Sequence, residues 1–266
     1  MTYTTPHTYT TPSTTGTSGT PATPAPAAPS FLQRMRRFPA TVGLIAVTVL
    51  VFVAQLVAQG LLGGDLVLYY GAKINANLAA GEAWRLVTPI FLHANLLHIG
   101  VNMYSLWALG PAVERFFGHA RFLAVYLLAG IGGVLLSLVL SPDPSVGASG
   151  AIFGLLGALA TFLYLHRATF GQLGAMQLRQ LVFVALINLA MGLTPGIDNW
   201  GHVGGLIAGA ALSWFLGPRF STTILPDGRP RLLDVRTRHQ VSVRIGLAIA
   251  VAILLAILAM MNAKGA

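Results

Sequence analysis

The sequence contains no cysteine, which excludes disulfides, thiol nucleophiles and cysteine-ligated metals. Charge is also scarce: only 9% of residues are Asp, Glu, Lys or Arg, where a soluble domain carries about a quarter. So few charges cannot clothe a water-facing surface, and an ordinary soluble enzyme is excluded. Acidic side chains number seven in 266 residues, which leaves little room for chemistry by paired carboxylates. The first thirty residues lack the basic start and apolar core of a cleaved signal peptide.

What is abundant is apolar: 55% of residues are hydrophobic, gathered in long runs. The composition is that of an all-α polytopic membrane protein. A span needs about 20 apolar residues to cross roughly 30 Å of hydrocarbon, and seven segments qualify, near 39–60, 95–114, 121–141, 149–166, 178–194, 201–217 and 243–262. Segment 1–33 is rich in Thr, Pro, Ser and Ala, so a disordered tail is expected there. The segment 61–94, with Tyr69, Tyr70, Trp84 and Pro89, suits an interfacial, partly inserted loop. The reading divides the chain into a tail (1–33), a six-helix core (34–218), a basic linker (219–242) and a seventh span with a short end (243–266).

Basic residues set the expected orientation. With the N-terminus cytoplasmic, 13 of the 16 Lys and Arg fall inside, and only Lys73, Arg85 and Lys264 fall outside. The C-terminus is then outside. The formal charge of +9 reads as this asymmetry and as attraction of the 219–244 segment to anionic lipid, without a nucleic-acid partner. With this parity the second, fourth and sixth spans all begin in the same leaflet. Ser149 opens the fourth and His202 the sixth, and His98 and Asn102 lie in the first turns of the second. Polar residues in a bilayer are functional candidates by default.

A serine hydroxyl needs a base to take its proton, and histidine is the usual one. Gly150 and Gly154 on one span, and Gly201, Gly205 and Gly209 on the other, form small-residue faces along which two backbones can approach. The same glycines also fit plain helix packing. His98 and Asn102, four apart on one helical face, suit an oxyanion site shared with the Ser149 backbone N–H, or simple interhelical bonding. His93 suits a structural hydrogen bond. Metal binding by His93, His98 and His202 is disfavoured, because no acidic residue lies beside them in a span. Asp198 sits in a Pro-Gly loop four residues before His202, which suits helix entry and leaves a Ser-His dyad.

Trp84-Arg85, then His93, His98 and Asn102 spaced as HxxxxHxxxN, resemble the motifs of the rhomboid intramembrane serine proteases. So do Glu114-Arg115 with Gly118, Gly147-Ala148-Ser149-Gly150, and Gly201-His202-Val203-Gly204-Gly205. The resemblance covers about residues 40–217. It implies a rhomboid-like six-helix bundle with a seventh helix added, in a bacterial cell membrane. It implies Ser149 as nucleophile, His202 as general base and His98 and Asn102 as oxyanion stabilisers. Gly147, Gly150, His93, Trp84, Arg85 and Gly205 would be supporting residues, with no cofactor. Substrates would be transmembrane proteins, entering near the fifth span and the 194–200 loop. Two other readings compete: a catalytically silent membrane-client binder, and a proton-coupled transporter using the three histidines as a relay. The oligomeric state is not legible.

Overall fold

The computed structural model describes residues 31–224 and 230–265. Most of the expected disordered tail therefore lies outside the described residues. Its last three residues, 31–33, instead open a short helix, α1 (Phe31–Arg37). The first long helix, α2 (Pro39–Leu62), begins with proline, whose missing N–H costs nothing in a first turn, and ends at Gly63 in the left-handed region.

Segment 61–94 is not an open loop. It folds into α3 (Leu66–Gly71), α4 (Asn75–Ala79) and two single 3-10 turns, Ala83–Leu86 and Thr88–Phe91. Arg85 holds these pieces together. Its guanidinium is buried, pairs with Glu82 at 2.6 Å and donates to the carbonyls of Tyr69 (2.9 Å) and Ala72 (2.7 Å). The Trp84 indole N–H donates to Tyr70 O at 3.0 Å while its ring stays exposed.

The remaining helices are α5 (Leu96–Phe117), α6 (His119–Leu140), α7 (Ser149–Leu165), α8 (Arg167–Met191), α9 (Asn199–Leu216) and α10 (Arg238–Gly265). Four of the helices, α2, α6, α8 and α10, are long and apolar enough to cross a membrane. On α8 and α10 large apolar side chains such as Phe183, Leu186, Leu254 and Leu258 face outward, an arrangement that suits a lipid surround. The chain is an all-α polytopic membrane protein.

The central helix is α7, which touches α5, α6, α8 and α9 and buries every residue from Ala151 to Leu159. At 17 residues it is about 25 Å long, shorter than the hydrocarbon thickness. Glycines bring α6, α7 and α9 into backbone contact. A Cβ on Gly133 would meet Gly201 O at 2.6 Å, and one on Gly204 would meet Gly132 O at 2.7 Å. Cβ atoms on Gly205 and Gly209 would collide with the carbonyl oxygens of Gly150 and Gly154. The expected pairing of α7 with α9 is thus a three-helix junction, with α6 as the third member.

Two boundaries differ from the sequence reading. The fifth span was expected from 178, but α8 starts at Arg167 and contains a break at Gly171 (φ 54°, ψ −141°). The helix thus begins 11 residues earlier than expected and takes in the segment 167–177. The basic linker is also structured: β1 (Phe220–Ile224) pairs antiparallel with β2 (Pro230–Asp234), and α10 begins at Arg238. Several of its charges are engaged within the chain. Asp234 pairs with Arg121 of α6 at 2.6 Å, and Arg236 and Arg244 both donate to Phe215 O at 2.8 Å, at the carbonyl end of α9. Two arginines expected to attract lipid, Arg236 and Arg244, together with Asp234 therefore tie the hairpin and α10 to the bundle.

Glu114 organises the same end of the bundle. Its buried carboxylate accepts from the backbone N–H groups of Ala40 and Thr41, from the Thr41 hydroxyl at 2.6 Å, and lies 2.6 Å from His119 Nδ1. It satisfies the orphan donors at the start of α2 from a helix 74 residues away in sequence.

Candidate functional site

Ser149 is the first residue of α7 and His202 lies in the first turn of α9. Asp198 fixes that turn: its Oδ1 accepts from Gly201 N at 2.9 Å, so the carboxylate caps the helix. The glycine contacts between α7 and α9 then set the spacing. Ser149 Oγ and His202 Nε2 lie 2.8 Å apart, within hydrogen-bond reach. The imidazole is also held by Phe153, one turn along α7, whose ring stacks on it at 4.4 Å and 10°. That stack was not foreseen, although Phe153 four residues after Ser149 shares its helical face.

His98 sits in the first turn of α5, which Asn95 caps by accepting from His98 N at 2.9 Å. Its ring faces Gly147, whose φ of +129° is a conformation L side chains rarely adopt. A Cβ built there would fall 2.7 Å from His98 Nε2 and 3.7 Å from Ser149 Oγ. Gly147 therefore keeps open a small space between the imidazole and the hydroxyl. Asn102 is buried one turn further along α5, and its amide donates to His98 O at 2.9 Å within the same helix.

His93 is buried beside them, its ring 5.0 Å from that of His98 in an edge-on arrangement. Burial, with the neighbouring His98, lowers its pKa to about 4, so the ring is neutral. Its Nε2 lies 3.5 Å from Ala148 N, just before Ser149. Gln55 of α2 clamps the backbone on either side, accepting from His93 N at 3.0 Å and donating to His93 O at 3.1 Å.

A cavity of about 30 Å³ opens behind the hydroxyl, between Pro89, Gly147, Ser149, Gly150, Asp198 and Gly201. That is room for one or two waters. The site thus combines a hydroxyl on a base, an imidazole across a glycine-lined gap, and water-sized space, all at one end of a bundle that is apolar outside.

The structure brings Ser149, His202, Gly147 and His98 together. It keeps Trp84 and Arg85 apart from them, as braces of the segment before α5. It also adds Lys73, whose backbone pairs with Ser145 in both directions (3.0 and 3.1 Å) and whose side chain is fully buried. A lone lysine in a loop carries no motif, and its only sequence signal was that it stands among very few basic residues on that side.

A family model described as Rhomboid domain matches residues 80–219 of the chain. The chain is 43% identical over 175 residues to Rhomboid protease GluP of Bacillus subtilis, covering 65% of this chain and 34% of that protein. It is 42% identical over 136 residues to RHOMBOID-like protein 6, mitochondrial, of Arabidopsis thaliana (51% of this chain, 44% of the other). RHOMBOID-like protein 5 of the same plant is 39% identical over 149 residues (55% and 48%). The chain spans between a third and a half of the length of these curated relatives.

Proposed function

The chain belongs to the rhomboid family, and from that premise we propose that it is a serine endopeptidase cutting transmembrane proteins, with Ser149 as nucleophile and His202 as general base. The observation that carries this is the 2.8 Å contact of Ser149 Oγ with His202 Nε2, made by two helix starts 53 residues apart. In the proposed reaction His202 Nε2 takes the hydroxyl proton as Oγ bonds to the scissile carbonyl carbon. The carbonyl oxygen becomes an oxyanion in the gap that Gly147 keeps open, facing His98 and the start of α7, with Asn102 supporting His98 from below. His202 returns its proton to the leaving amine as the C–N bond breaks. Water then repeats the sequence on the acyl-enzyme and releases the acid. Asp198 is left as a helix cap, so the pair works as a dyad.

The basic-residue asymmetry supports an N-terminus in the cytoplasm and a site toward the outer leaflet. The domain reading that goes with it is a core from α2 to α9, joined by the hairpin to a seventh helix, α10. A membrane-client binder would not need a serine held on a neutralising base, and a proton relay would not need the adjoining water-sized space.

The test uses purified protein in liposomes with a generic transmembrane substrate, compared with Ser149→Ala and His202→Ala. Each variant is expected to lose at least about 10³-fold in kcat. A wild type that cuts no better than either variant across several substrates would sink the reading.

A further inference from the structure

Lys73 lies between α3 and α4, far from Ser149 in sequence, and is 0% exposed. Its Nζ donates to three carbonyls: Ser137 (3.2 Å), Ser141 (2.9 Å) and Asp143 (2.9 Å). The first two are at the end of α6, where a cation complements the exposed carbonyls and the helix dipole. The third is in loop 141–148, which leads directly to Ser149. Helix capping alone does not account for Lys73, because Asn75 Nδ2 already donates to Leu138 O at 3.3 Å and Ser141 O at 3.0 Å. What Lys73 adds is a hold on the loop, by its ammonium at Asp143 and by its backbone at Ser145. From there Gly147 N donates to Pro89 O at 2.9 Å, and the chain enters α7.

We propose that Lys73 is a positioning residue for Ser149: it fixes loop 141–148 in the register that presents the Ser149 hydroxyl and backbone N–H to His202 and His98. The proposal rests on the protease reading. Burial works against the ammonium's charge and lowers its pKa, and the carboxylates of Asp198 and Asp143 offset part of that effect. A buried cation next to carbonyls of both α6 and the loop keeps the two in fixed relation. Without it the middle of the loop, from Asp143 to Gly147, keeps its backbone bonds to Lys73 and Pro89, while Asn75 and His93 reach only its two ends at Ser141 and Ala148.

The experiment compares wild type with Lys73→Met, which keeps the apolar stem, and Lys73→Arg, which keeps charge and donors. It measures kcat and KM on a transmembrane substrate in liposomes, the rate of fluorophosphonate labelling at Ser149, thermal unfolding, and amide hydrogen exchange across 141–149. Lys73→Met is expected to lower kcat and labelling together by about 10²-fold, the scale of an ångström misplacement, with KM within about twofold. The Ser145 and Gly147 amides should exchange faster, and Lys73→Arg should recover most of the lost rate. A Lys73→Met protein with kcat within about threefold of wild type, or with loss that follows only the unfolded fraction, overturns the proposal. A wild type that neither cuts nor labels would instead remove the protease reading. In that case unchanged exchange at Ser145 and Gly147 would still overturn the role given to Lys73, and faster exchange would uphold its hold on the loop.

Discussion

Gly205→Ala tests whether the glycine junction sets the distance between Ser149 and His202. Gly205 lies one turn after His202, and its Cβ would fall 2.7 Å from the carbonyl carbon of Gly150, the residue after Ser149. Carbon atoms in contact prefer about 3.5–4.0 Å and the Gly150 carbonyl oxygen is nearer still, so α7 and α9 must part by at least about 1 Å there. No flexible side chain stands in the way to yield instead, since the neighbour is backbone. Opening the helices by that amount takes the 2.8 Å hydrogen bond beyond 3.5 Å, where it no longer exists. The expected loss is about 10²-fold in kcat, equivalent to ~2.7 kcal/mol in the barrier. Overpacking should also lower stability by about 1–3 kcal/mol. Two further variants grade the effect. Gly150→Ala would meet Gly201 O at 3.2 Å, a small misfit, and should lose about tenfold. Gly43→Ala, with nothing within 4 Å, should leave kcat unchanged. Substrate cleavage, fluorophosphonate labelling and thermal unfolding would be measured on all three. A folded Gly205→Ala protein with wild-type kcat, or an order of effects that does not follow the order of clashes, would refute the reasoning.

Burial holds the Lys73 amine below its usual 10.5, against the pull of Asp198 and Asp143. The folded protein binds this proton less tightly than the unfolded chain, so raising the pH through that window costs no stability through Lys73. The rate should nonetheless fall in that window as the ammonium loses its charge and a donor. An alkaline limb below pH 10.5 is therefore expected without a matching drop in melting temperature, and an identical limb in Lys73→Arg would contradict it. Phe153→Ala removes the ring stacked on His202 and should cut kcat about tenfold with little change in KM, checked by steady-state kinetics. Arg236→Met removes the donor to Phe215 O and Gly217 O and should destabilise the protein by about 1–3 kcal/mol in thermal unfolding, with kcat preserved at low temperature.

The helices and the residues of the site were legible because each rests on a local pattern. Apolar runs mark the helices, and the polar residues stand out within them. Ser149, His202, His98 and Asn102 are conspicuous for being polar where lipid or apolar packing is expected. The glycines around Gly150 and Gly205 were legible as a packing face, but the part of Gly132 and Gly133 was not. A helix apolar on all sides carries no sign of which face meets which neighbour. Lys73 was read only as a charge on one side of the membrane, because three carbonyls from distant turns leave no trace in sequence. The hairpin at 220–234 escaped notice for a related reason. The arginines of this segment look like a lipid-binding cluster until Arg236 and Arg244 are found on the carbonyl end of α9, with Asp234 paired to Arg121 of α6.

Chain order around Ser149 bears on how such a protein is made. The loop before the serine is held by Lys73, which precedes it, but the base arrives 53 residues later on α9. A ribosome that has inserted α7 has therefore released a hydroxyl with no partner to activate it. The proposed chemistry begins only when α9 has docked between α6 and α7, after most of the core is in place. Until then, on the proposed mechanism, the nascent chain carries no assembled nucleophile and base with which to cut itself or other chains entering the same membrane.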